Sequence, residues 1–110
     1  MAAEQPDVLR GTLDLLVLKT LALEAMHGWG IAQRIEESSH GILGINQGSL
    51  YLALQRLQQR GCIAAEWRAS DNNRRAKYYR LTPGGRRILG EETISWRQYV
   101  AAVELVLGTP

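Results

Sequence analysis

The stretch Gly48–Thr82, GSLYLALQRLQQRGCIAAEWRASDNNRRAKYYRLT, decides the fold. At about 100° per residue, Leu50, Ala53, Leu54 and Leu57 fall on one side of a helix, while Gly48, Leu52, Gln55 and Gln59 point away. Asn46 stands where an N-cap would, and Gly61 supplies a C-terminal stop, so the helix is expected from Asn46 to Arg60. Beyond it the period changes. Ile63, Ala65 and Trp67 alternate with Ala64, Glu66 and Arg68, and Lys77, Tyr79 and Leu81 alternate with Tyr78 and Arg80, which predicts two strands flanking Ala69 to Ala76. The tip, Ser70-Asp71-Asn72-Asn73-Arg74-Arg75, joins turn-tolerant residues to two adjacent guanidinium groups. A helix followed by a two-stranded ribbon with a basic tip is how a winged helix-turn-helix is written: a mainly α fold with a small antiparallel β-hairpin.

The segments on either side complete that reading. Upstream, Leu13, Leu16, Val17, Thr20, Leu21 and Leu23 recur near helical spacing, with Thr12 or Asp7 as N-cap and an end near Met26. His27-Gly28-Trp29-Gly30 breaks the pattern, and Ile31 and Ile35 with polar Gln33, Arg34, Glu36 and Glu37 then predict a second, shorter helix. A loop is expected from Ser39 to Ile45. Downstream, Thr82-Pro83 opens a last helix as N-cap and first helical residue, because proline lacks the amide that would be unpaired there. Within it Leu89, Thr93, Trp96, Val100, Val103 and Leu107 are spaced as the seam of a coiled coil. Packing on the first helix of the same chain competes with pairing to a second copy, and the seam's length favours a homodimer. The division is therefore residues 8–81 as a winged helix-turn-helix and residues 82–110 as a C-terminal dimerisation helix.

A chain of 110 residues makes one small domain that often leans on a partner for stability. With 45% hydrophobic and 22% charged residues it is expected to fold. The longest apolar run, Tyr99 to Val103, is far short of the ~20 residues of a membrane span, and the acidic start Glu4 to Asp7 lacks the basic region of a signal peptide. A cytoplasmic protein is expected. The single cysteine, Cys62, has no internal disulfide partner and suits a buried junction.

Net charge is only +2, but residues 46–90 hold nine of the thirteen Lys and Arg against Glu66 and Asp71, a net +7 that leaves −5 elsewhere. Segregation of this kind suits a polyanion-binding face on a non-binding scaffold, because phosphate neutralisation supplies much of the affinity for nucleic acid. The outward helix face, with Gln55 and Gln59 flanked by Ser49, Tyr51 and Arg56, offers hydrogen-bonding groups to base edges or phosphates. A solvated surface would carry the same residues, and the wing tips the balance towards double-stranded DNA. Tyr79, on the side of Leu81, is expected in the core.

With these residues in place the chain resembles the PadR family of bacterial transcriptional regulators over nearly its whole length. The resemblance lies in His27-Gly28-Trp29-Gly30-Ile31, in Gly48-Ser49-Leu50-Tyr51 with Leu54, Arg56 and Leu57, in Gly61-Cys62-Ile63, and in Arg74 through Arg86. It implies a dimeric winged-helix repressor of the compact branch with one C-terminal helix. It further implies that Gln47, Ser49, Tyr51, Gln55 and Arg56 meet the major groove of a pseudo-palindromic operator, while Arg74, Arg75 and Lys77 meet phosphate or minor groove. The dimer interface it implies draws on Leu89, Trp96, Val100, Val103 and Leu107. Position 52 is Leu where the family usually has Pro, which puts an apolar side chain outward within reach of a thymine methyl.

Some relatives take planar aromatic compounds between subunits, so a small aromatic effector sandwiched by Trp96 and its mate is one expectation. A Trp96 that only fills the dimer core, with no polar anchor beside it, is the favoured one. Catalysis is not expected: His27 and His40 have no acidic pair in ligand spacing, and neither a phosphate loop nor a metal or cofactor motif occurs. His27 reads as a structural residue of the turn between the first two helices. A winged helix that binds protein rather than DNA is the alternative, weakened by the basic tip. An RNA binder would want a row of exposed aromatics on the ribbon, which the sequence does not suggest.

Overall fold

The computed structural model describes residues 7–69 and 72–110, with side chains from residue 11 onward. The order is α1 (Asp7–Leu23), β1 (Met26–His27), α2 (Gly28–Ser38), α3 (Gln47–Gln59), β2 (Ile63–Ala69), β3 (Arg75–Leu81) and α4 (Pro83–Leu107). The expected mainly α winged helix-turn-helix is present. Ser70 and Asp71 of the turn, and the side chain of the expected cap Asp7, lie outside the described residues.

Helix α3 forms where its pattern places it. The Asn46 side chain accepts from the Ser49 amide at 2.9 Å, and Leu50, Ala53, Leu54 and Leu57 are buried. At the other end Gly61 adopts φ +74°. Its amide donates to the Gln58 carbonyl and the Cys62 amide to the Leu57 carbonyl, a Schellman stop that only a residue at ease in the left-handed region makes cheaply.

The core joins Leu13, Val17, Leu18 and Leu21 of α1 to Ile31, Ala32 and Ile35 of α2, the inner face of α3, and Met26, Cys62, Ile63 and Tyr79. Cys62 is buried, as its place at the junction suggested. Two α1 assignments change. Leu18 is fully buried although the spacing did not pick it out, and Leu23 is exposed because the helix ends there.

The sheet has three strands, not two, in the order β1-β3-β2. Met26 pairs with Tyr79 and His27 with Tyr78, antiparallel. α1 therefore stops short of Met26, and two residues give no alternation by which a strand could be read. His27 then caps α2: its Nδ1 accepts from the Gly30 amide at 3.1 Å, so the helix starts at Gly28 rather than after Gly30. The expected structural role of His27 thus has a definite form.

Helix α4 opens as expected. Thr82 Oγ1 accepts from the Gly85 amide at 3.0 Å and donates to the Gly61 carbonyl at 2.6 Å, tying the start of the last helix to the end of α3. Its first turns pack on the domain through Gly85, Ile88 and Leu89, whereas residues 101–110 are exposed throughout.

Candidate nucleic-acid interface

The outward side of α3 carries Gln47, Tyr51, Leu52 and Gln55 in solvent and Ser49 half-buried. Gln55 Nε2 donates to Tyr51 Oη at 3.1 Å, so the two polar ends form one patch a helical turn apart. Both groups keep donor and acceptor capacity for a base edge or a phosphate. Arg56 turns elsewhere. Its guanidinium grips Asp14 of α1 with Nη2–Oδ1 at 2.7 Å and Nε–Oδ2 at 3.3 Å, and Asp14 is buried. The hydrogen bond to Asp14 raises the Arg56 pKa, against the cost of burial. This fork ties α3 to α1, and the Arg56 side chain stays partly exposed beside it.

The wing is the hairpin β2–β3, in register Ile63↔Leu81 through Ala69↔Arg75. Asn73 takes φ +59° in the turn, a conformation that asparagine tolerates better than most residues. Arg74, Arg75 and Lys77 form no ion pair among the described residues, whereas Arg34, Arg56, Arg60, Arg68 and Arg87 each face a carboxylate. Arg68, bidentate on Glu66 at 2.7 and 3.3 Å, holds that carboxylate below its usual range. Among the described residues, cations without an ion pair include these three on the wing next to the reading helix.

Between α3 and the wing runs an open groove of about 620 Å³. Trp29 and Tyr51 wall one side, and Arg74, Arg75, Lys77 and Tyr78 the other. The aromatic share of this surface is larger than the sequence suggested. Trp29 at the start of α2 is 64% exposed and lines the groove, whereas Trp67 on β2, 59% exposed, is not among its lining residues. His27 stands beside Trp29 in the groove, stacked on it and edge-on to Tyr78. The ribbon thus has an exposed aromatic after all, but Trp67 and Tyr78 stand on opposite faces and each lies under an arginine. No continuous stacking row results. For Trp29 the available signal was the break at His27–Gly30, which marks a helix start without showing which way the indole points.

Tyr79 is buried at the sheet centre, as expected, and burial pushes its hydroxyl above the ordinary value near 10.

Along α4, Trp96 and Tyr99 pack side by side, their ring centroids 6.1 Å apart. Leu89 rests against the chain's own core, Val100 is half-buried, and Val103 and Leu107 are exposed. A hollow of about 300 Å³ opens between α1 and α4, lined by Trp96 and Tyr99 together with Glu92 and Ser95. Polar groups therefore stand beside Trp96 where none was expected. No group of His, Cys, Asp and Glu able to hold a metal occurs among the described residues, nor does a helix long and apolar enough to cross a membrane.

Residues 17–91 match the transcriptional regulator PadR-like family. The transcriptional regulator Rv3488 of Mycobacterium tuberculosis is 35% identical over 76% of this chain and 74% of its own length. Among solved structures, the PadR family transcriptional regulator from Eggerthella lenta superposes with a TM-score of 0.79 at 33% identity, over 94% of this chain and 88% of that one. The transcriptional regulator Cth-833 from Clostridium thermocellum gives 0.81 at 25% identity, covering 93% and 96%.

Proposed function

Because the chain belongs to the PadR-like family of transcriptional regulators, we propose that this DNA-binding regulator is a homodimeric repressor seated on a pseudo-palindromic operator. The observation that carries the reading is the polar outer face of α3 lying beside a wing whose Arg74, Arg75 and Lys77 lack acid partners among the described residues. On this reading Gln47, Ser49, Tyr51 and Gln55 meet base edges, Leu52 meets a thymine methyl, and the wing cations meet phosphate. Arg56 serves recognition indirectly by holding α3 on Asp14.

Dimerisation is supported by the far half of α4, where Trp96, Tyr99, Val103, Leu105, Val106 and Leu107 expose apolar surface. A lone helix seldom leaves so much uncovered in a monomer. Leu89 is already engaged in its own chain, so the interface draws on Trp96 onward, with Val100 at its edge. The hollow beside Trp96 supports release by a small aromatic effector, with Glu92 and Ser95 as polar anchors.

Genome-wide mapping of bound DNA, followed by gel-shift titration of the recovered site at two salt concentrations, tests this reading. A pseudo-palindromic site, bound by two chains with half-sites about one helical turn apart, is expected. Neutralising roughly six to eight phosphates gives a slope of about −5 to −7 in log K against log salt. No enriched site and weak, sequence-independent binding would favour a protein-binding winged helix.

A further inference from the structure

Trp67 sits one step beyond the buried part of its ribbon face. On that face Ile63 pairs with Leu81, Ala65 with Tyr79, Trp67 with Lys77 and Ala69 with Arg75. Ile63 and Tyr79 are buried, but the indole stands mostly in solvent. Nothing in the core requires a tryptophan there. What it touches is the wing: the Arg75 guanidinium lies 5.6 Å from the centre of the Trp67 ring.

The other face of the ribbon shows what this contact does differently. Arg68 also lies over an aromatic ring, 5.0 Å from the centre of Tyr78, but Glu66 holds it in a bidentate pair that answers its charge. Arg75 has the ring without an acid among the described residues. A ring face attracts a guanidinium through its quadrupole and occupies none of its N–H donors. An aromatic platform therefore orders a cation while leaving both its charge and its hydrogen-bonding fork for another partner. Ordering a side chain in advance removes an entropic cost from binding.

We propose that Trp67 is a positioning residue of the wing, holding Arg75, which has no acid partner among the described residues, ordered before a DNA phosphate arrives. The inference rests on the DNA-binding reading above.

Binding of a labelled mixed-sequence duplex is measured for the unaltered protein, Trp67→Ala, Trp67→Tyr, Arg75→Ala and the Trp67→Ala/Arg75→Ala double variant, across a salt series. An exposed cation–π contact corresponds to about twofold to fivefold per wing, so Trp67→Ala should weaken a two-wing complex about fivefold to thirtyfold. It removes no charge, so its salt slope should match the unaltered protein, whereas Arg75→Ala should lose about one unit of slope per wing. Trp67→Tyr should recover most of the affinity, and Trp67→Ala should add little once Arg75 is gone. Melting of Trp67→Ala within a degree or two of the unaltered protein would show an intact fold. The proposal is overturned if Trp67→Ala binds like the unaltered protein, if it lowers the slope as loss of the whole wing would, or if it costs as much without Arg75 as with it. An unaltered protein that ignores DNA at every salt would overturn the DNA-binding reading itself, and this one with it.

Discussion

Gly85→Ala is expected to destabilise the protein by about 3 kcal/mol or more, at the upper end of overpacking costs, and to lower the melting temperature by roughly 15 °C. A methyl group at position 85 would lie 1.9 Å from the Cys62 carbonyl oxygen and 2.8 Å from its carbon. Neither atom can swing aside as a side chain would. The Cys62 carbonyl already accepts the Thr82 amide at 3.0 Å, and Thr82 in turn caps α4 and reaches the Gly61 carbonyl. The end of α3, the residue just before β2 and the first turn of α4 thus meet at one backbone contact. Moving α4 outward would break that cap and disturb the wing and the proposed dimer helix together. Gly84→Ala is the control: its methyl would find the nearest atoms at 3.7 Å, ordinary contact, and alanine is the better helix former. Thermal melts of both variants decide the matter. A Gly85→Ala protein that melts with the unaltered one would mean that α4 is not seated on Cys62 as described.

Arg74→Ala combined with Arg75→Ala should cost about a hundredfold or more in DNA affinity at moderate salt, and reduce the salt slope by about 3 to 4 for two wings. The loss should be similar for all sequences, since phosphate contacts carry no base information. Melting should hardly change, because neither arginine forms an ion pair among the described residues. Gln55→Ala should behave oppositely, relaxing preference at one base pair by about 1 to 3 kcal/mol while keeping the slope. If titrations against matched and mismatched duplexes show the arginine pair setting sequence preference and Gln55 setting the slope, the division of roles between wing and helix is reversed.

How much was legible depended on how local each determinant is. The cap at Asn46, the inner face Leu50–Ala53–Leu54–Leu57, the stop at Gly61 and the Thr82-Pro83 start all rest on neighbours within a few residues, and all stand in the structure as read. The charge segregation was equally open to inspection, because it needs only the order of residues. Strand β1 was not, since two extended residues acquire meaning only from the edge of β3 that they pair with, at Tyr78 and Tyr79, far along the chain.

Side-chain employment is where the reading fell short. Arg56 and Arg75 look alike in the sequence, each on a predicted element within the basic region. Arg56 is turned to a carboxylate forty-two residues away, while Arg75 lies over an indole on the neighbouring strand. Trp96 showed its helical spacing but not the Glu92 and Ser95 that share its hollow with α1. By itself the sequence determined the four helices and the β2–β3 hairpin, the caps at Asn46 and Thr82, the buried face of α3 and the side of the molecule that carries positive charge, because hydrogen bonds and apolar periodicity along a helix or strand are set within a turn or two. Only the tertiary structure decided which cations stay free and which tryptophans stay exposed, because both depend on partners that packing brings together from distant parts of the chain.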